Sequence, residues 1–204
     1  MNQKRSANLI KLADQLSKSN VLQVGQFTLK SGFVAPFYLD MRKIQSHPTA
    51  LHTVTGIFCD MLSNENKKSL IAGIPEAATV LAVAVGYKLK QPIIQPRKTI
   101  KQHGDKKLIE GEYKSGDKVV LIDDLITRGD SKLETISQIE SAGLKLDKLI
   151  VLIDWQKGGI ENIALKGYKI EAAYTATELM DALLNLGRIT KVRHKAILDY
   201  IQAK

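Results

Sequence analysis

A single cysteine, Cys59, stands in a chain of 204 residues. An intramolecular disulfide framework and a cysteine-built zinc site are therefore both excluded. The four histidines, His47, His52, His103 and His194, are scattered without ligand-like spacing, so no metal held directly by protein ligands is expected. No uninterrupted apolar run approaches the length that crosses a bilayer, and no membrane partner is expected. The opening MNQKRS leads into an amphipathic pattern and not into a signal peptide, which makes the cytoplasm the expected compartment. Internal repeats, low-complexity stretches and basic tails are all missing. So is the repeated interleaving of basic and aromatic residues that many nucleic-acid modules carry, and no nucleic-acid partner is expected.

What is present fits a globular protein with a substantial core. Hydrophobic residues make up 44% of the chain and charged residues 25%. The length predicts one domain spanning 1–204. The net charge of +9 is spread along the chain. Such a field suits steering of an anionic substrate, and it suits a solvated surface equally well.

Strand-like and helix-like patterns alternate. Leu9, Ile10, Ala13 and Leu16 share a face of a first helix, and residues 21–29 read as extended. Residues 37–40 form a short strand. His47 and Pro48 open a helix carrying Leu51, Val54, Phe58 and Met61 on one side. Strands are predicted at 69–74, 92–95, 119–122, 149–153 and 168–173, with a small-residue helix at 77–89. Residues 97–116 are polar, rich in lysine and punctuated by Gly104, Gly111 and Gly116, as functional or disordered loops are; they are expected to be unordered without ligand. Leu133, Ile136 and Ile139 keep helical spacing up to a cap at Gly143. Thr175 and Glu178 have capping-box spacing, and 189–201 is a last amphipathic helix. Continuous apolar strands alternating with helices predict an α/β fold with a parallel sheet.

Residues 119–131, VVLIDDLITRGDS, concentrate the chemistry. A buried strand is predicted to end at two adjacent carboxylates, Asp123 and Asp124. A short loop containing Gly129 follows, and Ser131 and Glu134 have the spacing of a second capping box. Backbone N–H groups at a helix start hold phosphate, and a carboxylate pair accepts sugar hydroxyls or holds hydrated Mg²⁺. An ordinary strand-to-helix turn with surface aspartates has the same local pattern.

This stretch resembles the phosphoribosyl diphosphate signature of type I phosphoribosyltransferases. Residues 27–32 (FTLKSG), 36–42 (PFYLDMR), 96–104 (PRKTIKQHG), 108–111 (LIEG) and 153–159 (IDWQKGG) narrow the resemblance to orotate phosphoribosyltransferase. It runs in order from about residue 20 to 160. It implies a mostly parallel five-stranded core flanked by helices, about residues 46–175. A small hood is implied from about residues 1–45 plus C-terminal elements. The implied reaction transfers phosphoribosyl from phosphoribosyl diphosphate to orotate, with Mg²⁺ as cofactor. A homodimer is implied, with loop 97–110 shared across subunits.

The resemblance also assigns roles. Asp123 and Asp124 stand under the ribose, and Thr127, Arg128, Gly129, Asp130 and Ser131 cradle the 5′-phosphate. Arg97, Lys98, Lys101 and His103 face the leaving pyrophosphate. Lys30 reaches toward orotate and the phosphoribosyl group, and Phe37 and Tyr38 lie beside the planar base. Hood core is an equal alternative for Tyr38.

Three residues depart from the family pattern. Trp155 stands where an arginine usually pairs with the orotate carboxylate, and an indole cannot replace a bidentate ion pair. Asp130 places a carboxylate in the phosphate loop, where Arg128 offers an offset. Glu76 follows Pro75 in the pyrophosphate turn, where an uncharged residue is usual. These departures keep two alternatives open: a phosphoribosyltransferase for another base, and a non-catalytic descendant that binds a nucleotide or a partner.

Overall fold

The computed structural model describes residues 2–28, 34–63, 69–98 and 108–203. The chain begins with α1 (Asn2–Lys18) and an antiparallel pair, β1 (Leu22–Thr28) and β2 (Val34–Leu39). A 3-10 turn at Met41–Ser46 leads into α2 (Pro48–Met61), with Pro48 in its first turn. Next come β3 (Leu70–Gly73), α3 (Thr79–Leu89), β4 (Ile93–Pro96) and β5 (Ile109–Glu110). Then follow β6 (Lys118–Ile126), α4 (Asp130–Ser141), β7 (Lys145–Asp154) and α5 (Gly159–Leu165). The chain closes with β8 (Ile170–Thr175), α6 (Ala176–Asn185) and α7 (Lys191–Gln202).

The main sheet has the order β5-β4-β3-β6-β7-β8. Five neighbouring strands are parallel, as the apolar runs led one to expect; β5 adds a two-residue antiparallel edge against β4. Both sheet faces are covered. Val120, Ile122, Ile150 and Leu152 join one core with α1, α2, α3, α6 and the β1–β2 pair. Val119, Leu121, Leu149 and Val151 join a second core with Ile136 and Ile139 of α4 and Ile163 of α5. A strand buried on both sides has no polar alternate positions, which is why these segments read as unbroken apolar runs.

Local chemistry sets several element ends. The Thr175–Glu178 capping box is present: the Thr175 Oγ1 accepts the Glu178 N–H at 3.1 Å, and Glu178 accepts the Thr175 N–H at 2.8 Å. Gly143, at φ +78°, follows α4 as expected. The second predicted capping box does not form. Gly129, at φ +96°, takes the N-cap of α4, so Ser131 is already inside the helix. Strand β6 also runs past the acidic pair to Ile126, because its pairing with β7 continues as far as Ile126 opposite Asp154. Three elements went unread in the sequence, the 3-10 turn, β5 and α5. Most of the 97–116 segment's central part, together with Lys30, Lys101 and His103, lies outside the described residues.

Thr175→Ala removes the hydroxyl that caps α6 and should lower stability by about 1 kcal/mol. Urea unfolding followed by circular dichroism checks this; an unchanged midpoint would contradict it.

Candidate functional site

The carboxyl ends of the parallel strands are where ligands bind in open α/β sheets. Here β3, β6 and β7 deliver three turns to that edge. The β3 turn needs glycine: a Cβ on Gly73 would lie 2.3 Å from the Ala78 carbonyl oxygen. Pro75 and Glu76 follow in this turn, joined by a cis peptide bond, with Glu76 exposed.

Strand β6 supplies the acidic pair. Asp123 is 3% exposed and Asp124 is half-buried. The Asp123 Oδ1 accepts the Asp124 N–H at 2.9 Å, and the Asp124 Oδ1 accepts the Leu125 N–H at 2.7 Å. The strand's side-chain alternation slips here, since Leu125 packs on the first core and Ile126 belongs to the second. Burial, and behind it the charge of Asp124, push the Asp123 carboxyl above its ordinary range, while Lys132 pulls it down. The Lys132 ammonium lies 2.5 Å from the Asp123 Oδ2, and both side chains are nearly sealed from water. The sequence reading missed Lys132, although its spacing to Ile136 and Ile139 puts it on the inward face of α4.

The loop from Thr127 to Gly129 leads into α4, whose N-terminus has no side-chain cap. The first N–H groups of such a helix suit an anion. Thr127, Arg128, Asp130 and Ser131 are exposed at this turn, and Gly129 is buried. The loop lies directly on α5. The Asn162 Nδ2 donates to the Arg128 carbonyl at 3.0 Å, and a Cβ on Gly159 would come within 2.4 Å of the Thr127 carbonyl oxygen.

The β7 turn carries Trp155. Its N–H donates to the Ile126 carbonyl at 2.9 Å, which ties it to the β6 loop. Its ring stacks on Phe37 at 5.0 Å between centroids and 31° between planes, and Phe37 meets Tyr200 edge-on. At 2% exposure Phe37 is core, backing Trp155 instead of presenting its own face to solvent. Tyr38, its neighbour along β2, lies 5.8 Å from Phe27 and accepts a hydrogen bond from Arg42 at 3.2 Å. Burial lifts the Asp154 carboxyl, against the Gln156 N–H it accepts. Gln156 accepts from both the N–H and the hydroxyl of Thr177, and Lys157 donates to the carbonyls of Tyr200 and Ala203.

Arg97 does not stand free. Its Nη1 donates to the Glu110 Oε1 at 2.6 Å, across the β4–β5 pair. Lys98 is exposed. The structure thus brings Asp123, Asp124, the 127–131 loop and Trp155 to one edge.

No family model matches the chain. Curated relatives do. The chain is 32% identical to an orotate phosphoribosyltransferase of Caenorhabditis elegans, over 92% of this chain and 83% of that one. It is 30% identical to an orotate phosphoribosyltransferase of Sulfolobus acidocaldarius, over 91% and 93%. It also matches a bifunctional enzyme PyrF/PyrE of a Nostoc species at 34% identity, spanning 38% of that protein's length. Among solved structures, Leishmania donovani UMP synthase superposes with a TM-score of 0.85 and 33% identity, over 94% of this chain and 42% of that one.

Gly159→Ala forces a methyl group against the Thr127 carbonyl and Ile126. It should cost about 1–3 kcal/mol. A urea melt indistinguishable from that of the unchanged protein would refute the close approach of loop and helix.

Proposed function

The chain belongs to the orotate phosphoribosyltransferase family, and from that premise we propose that it transfers the phosphoribosyl group of phosphoribosyl diphosphate to orotate, giving orotidine 5′-phosphate and pyrophosphate in de novo pyrimidine biosynthesis. The observation that carries this reading is the convergence at one sheet edge of an acidic pair and an uncapped helix N-terminus, both from the single β6–α4 connection.

In this reading the 5′-phosphate sits on the N–H groups at the start of α4, with Thr127 and Ser131 beside it. Asp124 faces the ribose hydroxyls, and Asp123 supports it from the buried side. The bond from the anomeric carbon to pyrophosphate breaks, the bond to the pyrimidine nitrogen forms, and that nitrogen gives up its proton. Positive charge develops on the sugar as negative charge develops on pyrophosphate. The protein's task is then to position both reactants and to stabilise those charges. Lys98, Lys101 and His103 oppose the pyrophosphate charge; Arg97 is engaged by Glu110. The same reading assigns Lys30 to the base and the sugar.

Mg²⁺ suits this site as an ion carried by its substrate. Among the described residues no three His, Cys, Asp or Glu side chains converge on one point, and Lys132 occupies Asp123. Asp124 is the half-exposed carboxylate that can receive the ion's waters. When bound, Mg²⁺ would neutralise part of the pyrophosphate charge.

The β1–β2 pair with α7 serves as the hood, and the two strands and α7 share the first core with Trp155. A cytoplasmic homodimer belongs to the same reading. Val83 and Tyr87, exposed at 49% and 85% on α3, give an apolar face for a second copy.

A second reading has its own observation. Trp155 offers a stacking face and no cation for a carboxylate, and Phe37 holds it from behind. That favours a base without a carboxylate.

The deciding measurement is orotate consumption, followed by absorbance, with purified protein, phosphoribosyl diphosphate and Mg²⁺. Turnover is expected. A folded sample that shows none at high enzyme concentration would overturn the orotate assignment. Gain of activity on Trp155→Arg with Asp130→Ser would then identify a non-catalytic descendant.

A further inference from the structure

Lys132 reaches from the first turn of α4 back under the end of β6. Its Nζ lies 2.5 Å from the Asp123 Oδ2 and 3.4 Å from the Ser131 Oγ. The lysine side chain is 8% exposed and that of Asp123 is 5% exposed. A cation in the first turn stands at the unfavourable pole of the helix dipole. Against the dipole it is held chiefly by its carboxylate partner, with the longer contact to Ser131 beside it. Its position is also specific. The same ammonium is within reach of a side chain of the anion-binding turn and of the first carboxylate of the acidic pair. These two groups belong to different elements, and the ammonium bridges them.

We propose that Lys132 is a positioning residue for phosphoribosyl diphosphate, fixing the acidic pair of β6 against the phosphate loop so that ribose and 5′-phosphate meet one rigid cradle. The proposal rests on the phosphoribosyl reading above. Lys132 acts through Asp123 and Ser131; it does not touch the reacting atoms. With its charge present, Asp123 keeps a fixed rotamer and Asp124 is left as the one acidic group open to the ribose. Without it, two adjacent carboxylates repel, and the buried one swings away or drags the loop with it.

The test uses the full chain and phosphoribosyl diphosphate with saturating Mg²⁺, by titration calorimetry in the absence of orotate. Lys132→Met keeps length and removes charge; Lys132→Arg keeps charge. Asp123→Asn with Lys132→Met removes both ions, so that no buried charge is left unpaired if the single variant fails to fold. Lys132→Met is expected to weaken phosphoribosyl diphosphate binding about 10- to 100-fold. Its KM for phosphoribosyl diphosphate should rise in step while its KM for orotate stays unchanged. Lys132→Arg should recover part of the loss, and the double variant should fold and bind weakly. If folded Lys132→Met, or the double variant, binds as tightly as the unchanged protein and shows only a lower melting temperature, the role is purely structural and the proposal is overturned. If the unchanged protein binds no phosphoribosyl diphosphate, the phosphoribosyl reading falls and takes the proposal with it. If it binds but consumes no orotate, only the base assignment falls, and the calorimetric comparison of the variants decides on Lys132.

Discussion

The meeting of Lys132 and Asp123 beneath the sheet edge ties α4 to β6 through two buried charges. Burying two charges costs several kcal/mol per ion in effective terms, and their attraction offsets this only when the geometry is close. At 2.5 Å it is close. The pair therefore demands that α4 lie at one height over β6, and the short turn at Thr127–Gly129 must span the gap without slack. The left-handed backbone of Gly129, at φ +96°, and the bare Cα of Gly159 against the Thr127 carbonyl are how the chain meets that demand. Each is a steric allowance that serves an electrostatic requirement.

The surrounding charges are then easier to weigh. Glu76 and Asp130, the two carboxylates of the wrong sign for a phosphate site, are both exposed. Exposed charges in high-dielectric surroundings repel an anion weakly, and salt screens them further. Asp130 also occupies the first turn of α4, where a carboxylate favours the helix dipole. The buried carboxylate of the site is the one with a buried cation. These two departures thus fall at exposed positions, and the ion pair of Lys132 and Asp123 falls where water is excluded.

The parallel sheet was legible in the sequence because burial on both faces leaves no polar alternation to blur the strands. Strand order needed the structure, and so did β5, whose two residues carry no period. The two S/T-x-x-E patterns make an instructive pair. Thr175 adopts an extended backbone, at φ −92° and ψ 160°, and caps α6. Ser131 has the same spacing to Glu134 but no such role, because Gly129 has already begun the helix. Spacing identifies a possible cap; the backbone ahead of it decides. Lys132 was passed over for a related reason. Leu133, Ile136 and Ile139 read as the inward face, and a lysine beside them reads as solvent. The structure rotates the face so that Lys132, Thr135, Ile136 and Ile139 are buried, and the side chain's length carries its ammonium to Asp123. At the other end of the site, Phe37 was read as lying beside the base. A 2% exposure puts it in the core, with the half-buried Trp155 packed against it.

In the proposed reading the site has two halves with different side-chain supports, one for ribose and phosphate and one for the base. The ribose and phosphate half is held by β6, α4 and α5 through a buried ion pair and close-packed glycine. The base half is held through the β7 turn, where Gln156 grips Thr177 at the start of α6 and Lys157 grips carbonyls at the end of α7. The parallel β6–β7 ladder joins the halves as far as Ile126 opposite Asp154, and the bond from the Trp155 N–H to the Ile126 carbonyl extends it without using the indole. A change of side chain at 155 therefore alters what the base meets while leaving the link, the turn and the acidic pair as they were. The fold can keep the phosphoribosyl half constant and vary the base half, and an indole at this position is a change of that kind.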